Sequence, residues 1–78
     1  MDDWSLAAAA GLQLWMGKAR DTVLYTDRCG GLLEAGKDYL RFKIGKRACT
    51  VWGKGLHIVS FDEGRLLMSG EAERIELD

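Results

Sequence analysis

Proline is absent from this 78-residue chain, which also has only two cysteines and one histidine. Without proline, no segment has the composition of a stiff linker, and the backbone N–H groups are all available to a β-ladder. A structural zinc site needs four ligands, more than Cys29, Cys49 and His57 supply. The two cysteines lack C-x-x-C spacing, so we interpret them as reduced thiols and expect no metal and no cofactor.

Long hydrophobic runs are also missing. The longest apolar-rich stretch, residues 4–16, is too short to span a bilayer as a helix. Asp2 and Asp3 stand where a secretion signal would have its basic region. We therefore expect no transmembrane segment and a cytoplasmic location.

The net charge is small, −1, but the charges are unevenly distributed. Residues 37–54 carry six basic side chains and one acidic one, whereas residues 62–78 carry six acidic and two basic ones. A nucleic-acid patch or complementary ends of a self-association would produce this pattern. We favour ordinary pairing across the strands of one sheet, because a nucleic-acid footprint usually raises the pI of the whole domain.

The length and the composition, 47% apolar and 29% charged, are those of one small folded domain. We assign residues 1–11 to an N-terminal helical or flexible segment and residues 12–78 to a single β domain. Leu6 to Ala10 favour a helix over about residues 4–10, and the alternation that follows predicts a strand over about 12–16. One helix continuing to Met16 is the alternative.

From Thr22 onward, short alternating apolar and polar segments are separated by glycine-containing turns. This pattern predicts a mainly β fold, an antiparallel meander of short strands with a short N-terminal helix. Outside the central hairpin, strands are predicted at residues 22–25, 56–61, 65–69 and 73–77. A further brief strand begins at Leu32 and Leu33 and is ended by Gly36-Lys37-Asp38. Both faces of residues 56–61 are apolar, so we expect that strand to be central, and Asp27 to Gly31 to form a turn.

The central hairpin has the best-defined register. Placing Gly45 and Lys46 in a two-residue type II′ turn sets Tyr39 opposite Trp52 and leaves one wholly apolar face. That face contains Leu40, Phe42, Ile44, Cys49 and Val51. The other face contains Arg41, Lys43, Ala48 and Thr50, with the Tyr39–Trp52 pair at its edge. A slip of one residue would destroy this separation, which strongly supports the pairing.

Two possible catalytic or ligand-binding features have simpler structural explanations. Gly53-Lys54-Gly55 lacks the spacing and the following helix of a phosphate-binding loop, so we predict a plain turn. His57 has no carboxylate or nucleophile at a catalytic spacing, and a general base needs a positioned partner. We therefore expect no enzymatic activity.

Aromatic and basic side chains together define a candidate interaction surface. Cations interleaved with aromatic rings on a β-face are typical of sheets that bind nucleic acid, although cation–π packing on an ordinary sheet needs the same residues. Tryptophans near the N-terminus, Trp4 or Trp15, are further candidate anchors for a protein partner. The candidate residues are Tyr39, Arg41, Lys43, Trp52 and Trp15. A small β-sheet nucleic-acid-binding module is thus the alternative to a protein-binding component.

The order of segments from Leu12 to Leu77 resembles the YabP/YqfC family of sporulation proteins from endospore-forming Firmicutes. The matching pieces are LQLWMG, DRCGGLL, YLRFKI, GKGLHIVSFDEG, RLLMSG and ERIEL. The chain departs from the family at Thr26 to Gly30, where members usually carry Glu-Asn-His before a basic residue and a glycine. Any role of that polar triplet is therefore not carried over.

The resemblance implies a short, mostly β protein that acts in the mother cell during spore formation. It implies no catalytic residue, because none is established for the family. The YqfC branch, which we favour, is encoded beside a membrane-associated protein, so the resemblance implies such a partner. Together with the unpaired edges that a small meander leaves, it predicts a binding or assembly component that contacts a protein partner or itself.

The hairpin register predicts that Phe42 lies in the core. Phe42→Ala should lower the free energy of unfolding by about 3–5 kcal/mol, because it removes a large buried side chain and leaves a cavity. Thermal denaturation followed by circular dichroism measures the loss. A variant that melts within a few degrees of the wild type would show that the register is wrong.

Overall fold

The computed structural model describes residues 3–17, 19 and 21–78. Within them lie one helix and six strands: α1 Trp4–Ala9, β1 Gln13–Met16, β2 Thr22–Thr26, β3 Cys29–Ala35, β4 Tyr39–Ile44, β5 Arg47–Asp62 and β6 Arg65–Leu77. All neighbouring strands are antiparallel, and their order in the single sheet is β1-β2-β6-β5-β4-β3. The predicted fold class is confirmed. Strands β3 to β6 form a meander, and the β1–β2 hairpin joins it along β6.

The N-terminal segment is a helix followed by a strand, which excludes the single helix. The helix α1 ends at Ala9, and Gly11 has a φ of +111° before β1 begins. Ala7 faces the sheet and is fully buried. Asp3, just before the helix, binds the edge of β6: its N–H donates to the Ile75 carbonyl, and its carboxylate accepts the Leu77 N–H at 2.9 Å. Residues 1 and 2 of the predicted segment lie outside the described residues.

The predicted register of the central hairpin is confirmed. Tyr39 lies opposite Trp52, Phe42 lies opposite Cys49, and the five residues of the apolar face are at most 5% exposed. Gly45 has a φ of +63°, while the following Lys46 has no positive φ. That combination matches the predicted type II′ turn.

Strand β5 is much longer than predicted and is strongly bent. A straight strand of its 16 residues would measure about 50 Å, whereas the longest dimension of the molecule is 32 Å. The turns that precede and follow it contact consecutive residues: the Gly45 N–H donates to the Arg28 carbonyl at 3.0 Å, and the Cys29 N–H donates to the Gly64 carbonyl at 2.9 Å. The sheet therefore curls back on itself at β5.

The bend corrects the prediction of a plain turn at Gly53-Lys54-Gly55. These residues lie inside β5, where the register with β6 shifts after Trp52 and again between Lys54 and His57. A Cβ on Gly53 would lie 2.1 Å from the carbonyl oxygen of Glu71, so the two backbones approach too closely there for any side chain. The sequence pattern does not distinguish a break between strands from a bend within one, because glycine is common both in turns and in bulges.

Two smaller predictions also need correction. Residues 57–62 of β5 pair with β6 alone, because β4 reaches only residues 47–52. This half of the strand is therefore an edge, although its two apolar faces suggested a central position. Strand β3 spans Cys29–Ala35, so the predicted turn is shortened to Asp27 and Arg28, and the strand begins three residues before the predicted start at Leu32.

The curled sheet encloses one hydrophobic core on its inner face. Residues from both halves of the sheet belong to the same buried cluster, and Ala7 and Leu12 cover one side of it. Its largest fully buried hydrophobic side chains are Phe42, Leu24, Ile44, Leu66, Met68, Ile75 and Val51. Ile75 and Leu77 point inward, as predicted. The bend is what brings Leu24 and Met68 into the same core as Phe42.

Gly53→Ala should be strongly destabilising because the new methyl group would collide with the backbone of β6. We expect a loss of about 3 kcal/mol or more in the free energy of unfolding, at the upper end of the range for overpacked sites. Gly30→Ala is the matched control, since its Cβ would meet nothing closer than the Lys43 Cβ at 3.4 Å. Urea denaturation measures both variants. Equal stabilities would contradict the close approach at the bend.

Candidate interaction surfaces

Four of the five predicted surface residues come together on the outer face of the sheet. Tyr39 and Arg41 on β4 stand beside Trp52 on β5, with Lys43 further along the same face. The centroids of the Tyr39 and Trp52 rings are 5.0 Å apart, and the ring planes are tilted by 40°. The alternation of β4, which buries Leu40 and Phe42, places these residues on the opposite face.

The two rings are engaged by other residues of the chain. The Trp52 indole N–H donates to Glu76 at 2.9 Å, and the Arg74 guanidinium carbon lies 5.0 Å from the Trp52 ring centroid. The Tyr39 hydroxyl donates to the Glu34 carboxylate. This hydrogen bond raises the pKa of Tyr39, with smaller contributions from burial and from the charge of Glu34. The pair is thus held in place as part of the sheet surface.

Arg41 on this face and Arg47 at the start of β5 contact the acidic C-terminal end of the chain. Arg41 donates to Asp78 at 2.8 Å and to the Thr50 hydroxyl at 2.9 Å, and Arg47 donates to the Asp78 backbone carbonyl at 3.0 Å. These contacts arise because the acidic end of β6 pairs with the basic first half of β5. A shallow depression of about 310 Å³ on this face is lined by side chains of both signs: Glu34, Tyr39, Arg41, Thr50, Trp52 and Glu76. Of the six cations of residues 37–54, Arg41 and Arg47 thus contact the acidic C-terminal end, as cross-strand pairing predicts.

Trp15, the fifth predicted residue, belongs to a different surface. It lies on β1, at the opposite end of the strand order from β3 and β4, and its side chain is 51% exposed. Beside it runs a groove of about 560 Å³ between α1 and β1, which we call the β1 groove. The β1 groove is lined by Trp4, Ala8, Leu12, Gln13, Leu14 and Trp15. Both N-terminal tryptophans that the sequence suggested as anchors therefore line one apolar surface.

The sequence did not indicate that Leu14, which lines the β1 groove, and Met16 are both exposed. Both residues lie within the predicted strand, but the alternation of that strand indicates that one of its two faces is buried. All four residues of β1 are exposed, with Leu14 41% and Met16 70% accessible. The run Gln13 to Met16 contains no charge, which is the signal that could have identified an unusual edge strand.

The structure offers no arrangement for acid–base or metal chemistry among the residues that it describes. His57 is exposed, and its Nδ1 lies 2.9 Å from the carbonyl oxygen of Gly55. No three His, Cys, Asp or Glu side chains within residues 3–17, 19 and 21–78 are grouped closely enough to hold a metal ion.

Cys29 and Cys49 are free thiols in the core. Burial raises the pKa of Cys49 to about 12, an effect that nearby Arg41 opposes and Asp3 increases slightly. A thiol of this kind is a poor nucleophile, because the reactive species is the thiolate. Cys49 therefore serves as a small hydrophobic residue of the core.

The comparisons with known proteins identify no relative. No protein-family model, no curated protein and no solved structure matches the chain. In the part of the chain that the structure describes, no helix has the length and the apolar character needed to cross a membrane.

Cys49 should resist alkylation in the folded protein. With a pKa of about 12, its thiolate fraction at pH 8 is roughly a thousandfold below that of a thiol with a pKa near 9. Iodoacetamide labelling followed by peptide mass spectrometry measures the rate. An exposed thiol introduced by Ser60→Cys is the control, and a similar rate for both sites would contradict the burial.

The same shift predicts how stability depends on pH. The folded state holds the Cys49 proton more tightly than the unfolded state does, so its contribution is complete below pH 9 and is lost as the pH rises toward 12. Cys49→Ala should lack this component of the alkaline decline, and urea denaturation between pH 8 and 11 compares the two proteins.

Proposed function

We propose that this chain is a non-enzymatic binding or assembly component in endospore formation, and that it recruits a protein partner through β1 and the β1 groove. The single observation that carries the proposal is the position of Trp15. Its half-exposed indole stands at the rim of an apolar groove and on a strand whose outer edge is not paired with any other described strand.

Exposed apolar surface is the first support. Leu14, Trp15 and Met16 are consecutive, and each is at least 41% exposed. Contiguous apolar patches on small proteins mark interaction sites more often than isolated apolar residues do. Tryptophan is also the residue type most enriched among those that dominate binding energy.

The backbone of β1 is the second support. As the last strand of the sheet, it pairs with β2 on one side, and no other strand among the described residues pairs with its outer edge, so the outer N–H and C=O groups can bind another strand. Strand addition gains affinity from main-chain hydrogen bonds and specificity from nearby pockets, and the β1 groove is adjacent. Contact alone would therefore be sufficient for recruitment.

The sporulation setting rests on the resemblance to the YabP/YqfC family. The segment that forms β1 lies within LQLWMG, the first of the resembling pieces. The YqfC branch implies a membrane-associated sporulation protein as the partner and the mother-cell cytoplasm as the location. An apolar strand edge with a groove fits a protein partner of this kind.

Nucleic-acid binding by the outer face has weaker support. Of the cations that would contact phosphates, Arg41 is already hydrogen-bonded to Asp78 and Thr50. Glu34 and Glu76 stand beside the aromatic pair on which bases would stack. An anionic backbone would have to displace or approach these carboxylates, which is electrostatically unfavourable.

Trp15→Lys should abolish sporulation in an endospore-forming host that carries the variant as its only copy, because the lysine places a charge in the apolar contact. His57→Ala should sporulate normally, since His57 has no catalytic partner. Leu33→Lys is the matched control, because Leu33 is similarly exposed, 49%, but lies on β3. Counts of heat-resistant spores measure the effect, and circular dichroism verifies folding. Loss of sporulation in folded His57→Ala while Trp15→Lys is unaffected would refute the contact model.

A further inference from the structure

Among the described strands, β1 is the edge strand that lacks a structural feature discouraging its pairing with another strand. Strand β3 has two register shifts against β4 and carries Glu34. The second half of β6 is covered by Asp3, and the unpaired half of β5 has a register shift after Ile58 and ends at Asp62. Bulges, charges and covering segments are the usual protections of sheet edges. Strand β1 pairs with β2 without a shift and carries no charge.

We propose that β1 pairs with β1 of a second copy of this chain, in an antiparallel two-fold dimer whose sheet runs continuously through both molecules. The inference rests on the proposed function, because it names the first partner of the same surface. Antiparallel pairing of a strand with itself is isologous, so one unpaired edge supplies both halves of the interface.

The two faces of β1 restrict the register. Residues opposite each other in an antiparallel pair share a face of the sheet. Leu14 lies opposite the fully buried Leu24 and so belongs to the core face, whereas Trp15 lies opposite Val23 on the other face. A two-fold axis perpendicular to the sheet preserves the faces, so Leu14 can oppose only a core-face residue of the second copy.

Within Leu12 to Met16, registers centred on Gln13, Leu14 or Trp15 satisfy this condition, and burial selects among them. A centre on Gln13 or Leu14 would require Leu12 to pair with Leu14 or Met16 of the second copy, but Leu12 is only 5% exposed and precedes the strand. A centre on Trp15 sets Trp15 opposite Trp15 of the second copy and Leu14 opposite its Met16. On both faces of the sheet, apolar side chains of one copy then lie opposite apolar side chains of the other, and Gln13 lies opposite Gly17.

The charge of β1 and the surface area that it exposes favour a second copy of this chain as the binding partner. A charged strand would repel itself, and β1 has no charge, while the whole chain carries a net charge of only −1. The exposed surface of β1 with Trp4 and Ala8 is on the order of 500 Å² per copy, counting a fully exposed large side chain as about 200 Å². Two copies then cover about 1,000 Å², the lower limit for a specific interface. The dimer should therefore be weak, with a dissociation constant in the micromolar range.

Sedimentation velocity from about 1 µM to 1 mM tests the association. We expect a monomer–dimer equilibrium for the wild type. Trp15→Lys should raise the dissociation constant at least thirtyfold, because it removes the central contact and places two like charges opposite each other. Leu33→Lys, on the far edge of the sheet, should leave the dissociation constant unchanged. A wild type that stays monomeric throughout, or a dissociation constant that Trp15→Lys leaves unchanged, would overturn the inference.

Disulfide trapping tests the register. Directly opposed residues in an antiparallel pair have Cα atoms about 4.5–5.5 Å apart, which is within disulfide range. At about 1 mM protein, where a dimer weakened by the loss of the indole is still populated, Trp15→Cys should therefore form a covalent dimer under mild oxidation. Gln13→Cys should not, because the two copies of residue 13 would be about 14 Å apart along the strands. The native thiols are buried and do not interfere. Efficient trapping through Gln13→Cys, with none through Trp15→Cys, would contradict the register.

The sporulation assay separates failure of this inference from failure of the proposed function. A monomeric wild type whose Trp15→Lys variant still blocks sporulation would overturn the dimer while the contact function stands. A dimer that Trp15→Lys disrupts without any effect on sporulation would support the dimer and overturn the proposed function.

Discussion

The close approach of β5 and β6 at Gly53 is the constraint on which the rest of the structure depends. Without a side chain there, the two long strands can bend together, and the turns that precede and follow β5 contact Arg28 and Cys29. A small chain can bury only part of its surface, so folding one sheet over itself lets both halves share one core. Gly70, with a φ of +141° and no room for a Cβ, completes the bend on β6.

The same bend determines which strands, or parts of strands, lie at an edge of the sheet. It separates the first half of β5, which pairs on both sides, from the second half, which pairs only with β6. It also leaves a free side along β6, and β2 occupies this side near the start of the strand while Asp3 occupies it near the end. The hairpin partner of β2, β1, is consequently the outermost strand. The exposed surface of Trp15 is therefore a result of strand order and not of β1 alone.

The two aromatic surfaces have different physical character. Tyr39 and Trp52 are surrounded by carboxylates and guanidinium groups of their own sheet, so any ligand there would have to replace existing contacts. The β1 groove is lined mainly by apolar side chains, and covering it removes apolar area from water without breaking a salt bridge. This difference, which composition alone conceals, is why we propose β1, and not the outer face, as the contact surface.

For residues 4–16 the sequence favoured a helix followed by a strand but left a single helix open, and the structure decided between them. The sequence by itself determined the fold class and the complete register of the Tyr39–Trp52 hairpin. These features depend on local alternation and on turn chemistry, both of which are visible in neighbouring residues. The tertiary structure decided that Gly53-Lys54-Gly55 lies in a bent strand, that residues 57–62 form an edge, and that Trp15 and Trp4 share a groove. The physical reason is that each of these depends on residues distant in sequence: Glu71 determines the space at Gly53, and the position of β2 along β6 determines which strand is left at the edge.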